Sequence, residues 1–134
     1  MATISNELDE LSSALMGDAL DALADEGEVD VLLVCELADG TVESYVFADD
    51  GPEACLDGAR DKVRATADAV RYAIAYEGAV EAEDGAYEDA LILEFGERGW
   101  HSFSAYSLVM GKGMGEEFAW TDPAPAGELE PLLG

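Results

Sequence analysis

The chain has 134 residues, 49% of them hydrophobic, a length and composition typical of a single folded domain. Its 31 Asp and Glu residues against 6 Lys and Arg residues give a formal net charge of −25, and all six bases follow residue 59. This charge excludes nucleic acids and anionic membranes as partners, because both attract proteins through Lys and Arg, and it favours a basic protein instead.

The first half of the chain predicts one helix and a hairpin of two strands. Over residues 4–24, apolar side chains recur at steps of three and four, which is the pattern of an amphipathic helix. Val29–Leu37 is dense in Val and Leu and predicts a buried strand. Asp39-Gly40 is a turn signal, and Thr41–Ala48 has the mixed polarity of a second strand that is covered on one side only.

The second half predicts another helix and then strands. Pro52 with neighbouring acids marks a helix start, and apolar spacing extends this helix over about residues 52–69. Three strands are predicted after it, and a short edge strand is expected at Glu117–Trp120. The three strands are Tyr72–Tyr76, Tyr87–Phe95 and Trp100–Met110.

These elements predict an α+β fold with an antiparallel sheet covered by two helices. The expected order is α-β-β-α-β-β-β, with one further strand as an option, because consecutive hairpins give antiparallel neighbours. Residues 1–122 form the single acidic domain of this interpretation. Residues 123–134 are expected to be a loosely ordered, proline-containing tail.

The most site-like group of side chains lies around one turn, at residues 94–101. Glu94, Glu97 and His101 are candidates for acid/base chemistry, with Arg98 as an ion-pairing partner. The alternative is a hairpin turn in which Arg98 neutralises neighbouring carboxylates at the surface, where such pairs are weak.

Two further sets of residues are candidates for contacts with other molecules. Possible binding residues are Arg98, Trp100, Lys112 and Trp120, the last two in or near the glycine-rich loop 111–115. Possible dimer contacts are Arg60, Arg64 and Arg71. We expect these arginines to form a basic ridge that faces the base-free first helix of a second copy. The alternative is that they form local ion pairs with acids three or four residues away.

The chain predicts neither a metal site nor a cofactor. His101 is the single histidine, and the glycine-rich loop matches no phosphate-binding motif. Cys35 and Cys55 are expected to be buried reduced thiols, with a disulfide as the alternative. The N-terminal residues lack the pattern of a signal peptide, so a cytoplasmic location is expected.

We therefore favour a non-enzymatic, acidic protein-binding module, chaperone-like or neutralising toward a basic protein, and a possible homodimer. In size, charge and alternation of helices and strands the chain is similar to small acidic secretion chaperones and to toxin-neutralising immunity proteins. One alternative is a small carboxylate-using enzyme with a pocket near the 94–101 turn. Another is a housekeeping protein whose acidity is an adaptation to its ionic environment.

Overall fold

The computed structural model describes residues 5–48, 51–81, 84–99, 102–129 and 132–133. Its elements are α1 (Asn6–Glu26), β1 (Val31–Leu37), β2 (Val42–Phe47), α2 (Pro52–Ala65), β3 (Ala69–Glu81), β4 (Tyr87–Glu97), β5 (Ser102–Met110), a 3-10 turn (Gly115–Glu117), β6 (Ala119–Trp120) and β7 (Ala124–Leu129). The predicted α+β class and order of elements are confirmed. Among the described helices, none is both long enough and apolar enough to cross a membrane.

The strands form one antiparallel sheet in the order β2-β1-β3-β4-β5-β6, with β7 also paired to β5. Hairpins connect β1 to β2 and β3 to β4. In the first of them Gly40 has a φ of 89°, the left-handed conformation that the Asp39-Gly40 signal predicts. Consecutive strands pair in β1–β2, β3–β4 and β4–β5, whereas β3 returns after α2 to pair with β1.

The two helices cover opposite faces of this sheet. Along β1, Val34 packs with the apolar stripe of α1, whereas Leu33 packs with α2. Along β3, Ala73 belongs to the first cluster and Ile74 to the second. Since neighbouring residues of a strand point to opposite faces, we name the two sides the α1 face and the α2 face.

Capping interactions mark both ends of α1. The Ser5 hydroxyl accepts a hydrogen bond from the Leu8 amide at 3.1 Å, which caps the N-terminus. At the other end Gly27 adopts a φ of 81° and donates its amide hydrogen to the Leu23 carbonyl oxygen. The predicted first residue of this helix, Ile4, lies outside the described residues.

Helix α2 is shorter than the spacing of apolar residues predicts. It ends at Ala65, because the Thr66 hydroxyl donates to the Lys62 carbonyl at 2.7 Å and the chain turns. Residue 69, the last of the predicted helix, instead begins β3, and Val70 is the second residue of that strand. The β-branched Val70 suits that strand as well as it suits a helix stripe, so spacing alone could not decide.

The segment Ala124–Leu129 forms strand β7, which pairs with β5. This differs from the loosely ordered tail predicted for residues 123–134. The segment contains Pro125 and Gly127, residues that are depleted in strands, so its sequence carries no strand signal. A proline is nevertheless tolerated at the edge of a sheet, where one side of the strand needs no donor.

Candidate functional site

A buried ion pair lies between α2 and the sheet. Glu94 on β4 is only 3% exposed and accepts hydrogen bonds from Arg60 Nε at 3.0 Å and Arg60 Nη2 at 2.5 Å. The Tyr76 hydroxyl donates to the same carboxylate at 2.7 Å. The hydrogen bonds that Arg60 donates to Glu94 raise the pKa of Arg60. Burial, followed by the hydrogen bond that Tyr76 donates to Glu94, raises the pKa of Tyr76. The carboxylate is therefore saturated by partners within the chain.

A small cavity of about 220 Å³ lies beside this pair, between α2 and the C-terminal segment. Its wall includes Tyr72, whose hydroxyl donates to Ser102 Oγ at 3.0 Å. Gly96 lies against both side chains, and a Cβ there would be 2.8 Å from the Tyr72 ring. Apolar Leu129 and Leu132 close the other side. The polar groups that line this cavity form hydrogen bonds with one another, so they do not need a ligand to satisfy them.

Glu97, the second carboxylate of the predicted acid/base group, lies on the α1 face. It accepts hydrogen bonds from the Ser5 hydroxyl at 2.7 Å and from Arg71 Nε at 2.6 Å. The Ser5 hydrogen bond, followed by Arg71, lowers the pKa of Glu97. Because Glu94 and Glu97 are three positions apart on one strand, they point to opposite faces and the structure does not bring them together. The third member, His101, lies outside the described residues.

Arg98 binds backbone carbonyl groups. It donates from Nε to Ala69 at 2.9 Å, from Nη2 to Ala67 at 3.1 Å and from Nη1 to Leu133 at 2.7 Å. This predicted binding residue therefore joins the start of β3 to the C-terminal segment.

Lys112 holds the glycine-rich loop against the α1 face. Its Nζ lies 3.1 Å from Glu77 and 3.5 Å from Asp89. The Gly113 amide also donates to the Leu23 carbonyl oxygen at 2.8 Å, and a Cβ on Gly27 would lie 3.5 Å from Gly113 Cα. The glycines in this loop allow close contact with the end of α1, which fits a packing role better than phosphate binding.

Trp120, another predicted binding residue, is exposed. It is 51% exposed and stacks on Phe118 with a distance of 5.8 Å between ring centroids. Met110 and Met114 are also exposed. Trp100 lies outside the described residues.

The three arginines predicted to contact a second copy are not on one surface. Arg60 turns inward to Glu94, whereas Arg64 is a surface residue paired with Asp61. Arg71 lies on the α1 face, where it contacts Glu36 at 2.6 Å as well as Glu97. A basic ridge does not form, because α2 and β3 present these side chains in different directions.

All six bases of the chain contact groups within the chain. Besides the five described above, Lys62 lies over the Tyr45 ring, 4.9 Å from its centroid. The carboxylates that pair with these bases include Glu36, Asp61, Glu77, Asp89, Glu94 and Glu97. Since 31 acids share 6 bases, a large excess of carboxylates faces solvent without cations from the chain itself.

Part of this excess lines a groove between α1 and the edge strand β2, with a volume of about 390 Å³. The helix contributes three exposed carboxylates, Glu7, Glu10 and Asp18. The floor is apolar, and the residues that form it include Leu11, Leu15, Val34 and Val42. We call this feature the acidic groove.

The acidic groove is not evident from the sequence alone. Two signals pointed toward it, the absence of bases before residue 60 and the mixed polarity of the second strand. What the sequence could not supply is the position of α1, which packs over β1, β3 and β4 and leaves the α1 face of β2 uncovered.

Metal and thiol chemistry find little support in the described part of the chain. Within it, no group of three or more His, Cys, Asp or Glu side chains is arranged to hold a metal ion. Cys35 and Cys55 are both buried thiols on the α2 face. Burial, followed by the charge of Glu43, raises the pKa of Cys35 to about 11, so its reactive thiolate is disfavoured at neutral pH.

Comparison with known proteins adds no functional assignment. The chain matches no protein-family model, and it has no significant match among curated proteins or solved structures.

Proposed function

We propose that this protein is a non-enzymatic binding module whose acidic groove holds a basic segment of another protein. The observation that carries the proposal is the groove itself, an apolar floor of Leu11, Leu15 and Val34 beside a row of exposed carboxylates on α1. A partner with alternating apolar and basic side chains complements both parts, by burial on the floor and by charge on the rim.

The engagement of the bases strengthens this proposal. Each Lys and Arg is already in contact with a group of the chain, so Glu10 and Asp18 are not needed to hold them, and Glu7 adds only a longer-range attraction to Arg71. Electrostatic attraction then accelerates encounters with a basic partner and disfavours acidic ones. A chaperone-like or neutralising role is a natural use of such a surface.

The enzyme hypothesis has weaker support. Its two described acids lie on opposite faces of β4, and Glu94 is held by Arg60 and Tyr76. A cytoplasmic location remains our expectation, since buried Cys35 and Cys55 thiols suit a reducing compartment.

The test compares two triple variants with equal net charge. In the groove variant, Glu7→Gln, Glu10→Gln and Asp18→Asn remove the carboxylates of the rim. In the control variant, three exposed acids elsewhere are neutralised by Glu53→Gln, Asp57→Asn and Glu117→Gln.

Tagged wild-type protein and both variants would be used to capture partners from the native lysate, with a low-salt and then a high-salt wash. We expect one basic protein that wild type and control retain, that high salt releases, and that the groove variant loses. Equal capture by the two variants would show that the groove is not the binding site.

A further inference from the structure

The outer edge of β2 has main-chain groups available for pairing. The Leu37 amide donates to the Thr41 carbonyl at 2.8 Å, which fixes this pair as a hydrogen-bonded one. In an antiparallel ladder such pairs alternate with pairs that do not bond. From the register of β1 and β2, the backbone groups of Glu43, Tyr45 and Phe47 point toward β1. Those of Val42, Ser44 and Val46 therefore point away from the sheet.

This edge has few of the usual protections against strand pairing, and Glu43 is its one charged side chain. Val42–Phe47 contains no lysine and no proline, and its register with β1 runs without a bulge. At the opposite edge β7 contains Pro125, and its pairing with β5 includes a register shift. The contrast identifies β2 as the edge that is open to another strand.

The side chains along this edge lie on the groove side. Val42, Ser44 and Val46 all face the α1 side, and the two valines are 52% and 63% exposed. A strand added to β2 would lie about 4.8 Å away and would present every second side chain on the same side. Lysine or arginine at those positions reaches toward the carboxylates of α1, because both have long flexible side chains.

We propose that the partner binds by adding a basic strand to the outer edge of β2, a mode that rests on the proposed function of the acidic groove. Main-chain hydrogen bonds to Val42, Ser44 and Val46 supply affinity, and alternate basic side chains supply specificity. A second copy of this chain is a poorer occupant. It would bring Glu43 and a further charge of −25 to an edge already flanked by Glu7 and Glu10.

The experiment uses a ten-residue peptide of alternating lysine and valine with blocked ends, measured by calorimetry against the full chain. Two methylated forms carry N-methyl groups either on all lysine amides or on all valine amides. Strand addition predicts that one form binds at least about tenfold more weakly than the parent while the other is unchanged, since only alternate amides face β2. If methylation of the lysine amides weakens binding, the peptide adds antiparallel to β2. If methylation of the valine amides weakens binding, it adds parallel to β2.

A protein variant provides the reciprocal test. Ser44→Pro removes an amide hydrogen that points outward, without removing a hydrogen bond to β1. The variant should therefore fold, which circular dichroism would check. It should no longer bind the peptide. Equal binding of both methylated forms, or binding by folded Ser44→Pro as tight as that of wild type, would overturn strand addition.

Two outcomes separate this inference from the proposed function. If the groove triple variant loses the peptide while both methylated forms bind equally, the groove binds side chains only and strand addition is wrong. If the groove and control triple variants bind the peptide equally, the proposed function itself fails. A wild-type dimer in sedimentation that Ser44→Pro converts to a monomer would assign the edge to a second copy and would also overturn the inference.

Discussion

Arg60 on α2 and Glu94 on β4 meet through two parallel hydrogen bonds, of 3.0 and 2.5 Å, across the α2 face. The Glu94 side chain is 4% exposed, and the Arg60 side chain is 32% exposed. Each charge compensates the other in a place with little water, so the pair fixes where α2 sits on the sheet.

Removal of one partner should therefore be costly. We expect Arg60→Met to lower the free energy of unfolding by about 3 kcal/mol, because Glu94 would remain buried without its main partner. Arg64→Met on the same helix is the matched control, since Arg64 is 54% exposed and its pair with Asp61 lies at the surface. That change should cost less than about 0.5 kcal/mol in urea denaturation. Similar losses in both variants would contradict the structural role of the Arg60–Glu94 pair.

Glu97 should contribute to the pH dependence of stability. The Ser5 hydrogen bond, with Arg71, lowers its pKa in the folded state. Its contribution is thus fully present above the ordinary glutamate pKa of about 4.3 and is lost as pH falls through the folded value. Glu97→Gln should destabilise the protein by about 1–2 kcal/mol at pH 7 and by less near pH 3.

Chemical denaturation at several pH values measures this difference. Glu88→Gln, an exposed change on the same strand, serves as the control and should alter stability by less than about 0.5 kcal/mol. A Glu97→Gln penalty that stays constant from pH 7 to pH 3 would contradict the assignment.

Two glycine substitutions should have opposite signs. In Gly96→Ala the new methyl group would contact the buried Tyr72 ring and the Ser102 hydroxyl, so we expect a loss of about 1–3 kcal/mol from overpacking. Gly17→Ala lies within α1 and meets no atom within 4 Å, so it should gain up to about 1 kcal/mol of helix stability. Thermal unfolding of the two variants measures both effects. A Gly96→Ala protein as stable as wild type would contradict the close packing of Gly96 against Tyr72 and Ser102.

Added salt should stabilise the folded state. A net charge of −25 on one domain disfavours compactness through self-repulsion, and salt screens it. The melting temperature should rise by several degrees between about 0.1 M and 1 M KCl, and much less near the isoelectric point of about pH 4.1, where the repulsion vanishes. A melting temperature insensitive to salt at pH 7 would count against the ionic-environment alternative.

The elements that the sequence predicted well are those with strong local patterns. The stripe of α1 and the Asp39-Gly40 hairpin depend on residues close together in the chain, and both are found. Strand β7 has no such pattern, because its stability derives from β5 as a neighbour.

The candidate sites were harder to predict for the same reason. The partners Arg60 and Glu94 are 34 residues apart, and their meeting depends on how α2 docks on the sheet. Nothing local shows that Glu97 will turn to Ser5 instead, across 92 residues. The acidic groove likewise results from where a helix stops covering a sheet, which is a property of packing.

The side chain of Arg98 has a consequence for cooperativity. It binds Ala67 and Ala69 around the start of β3 and Leu133 near the C-terminus, so its guanidinium group links these two segments to the end of β4. Local opening of any one of them must break contacts to the others, which favours their exchange of amide hydrogens as a single unit. The acceptors of Arg98 are backbone carbonyl oxygens, so this connection does not depend on carboxylates and persists in acid after links made by carboxylates have been neutralised.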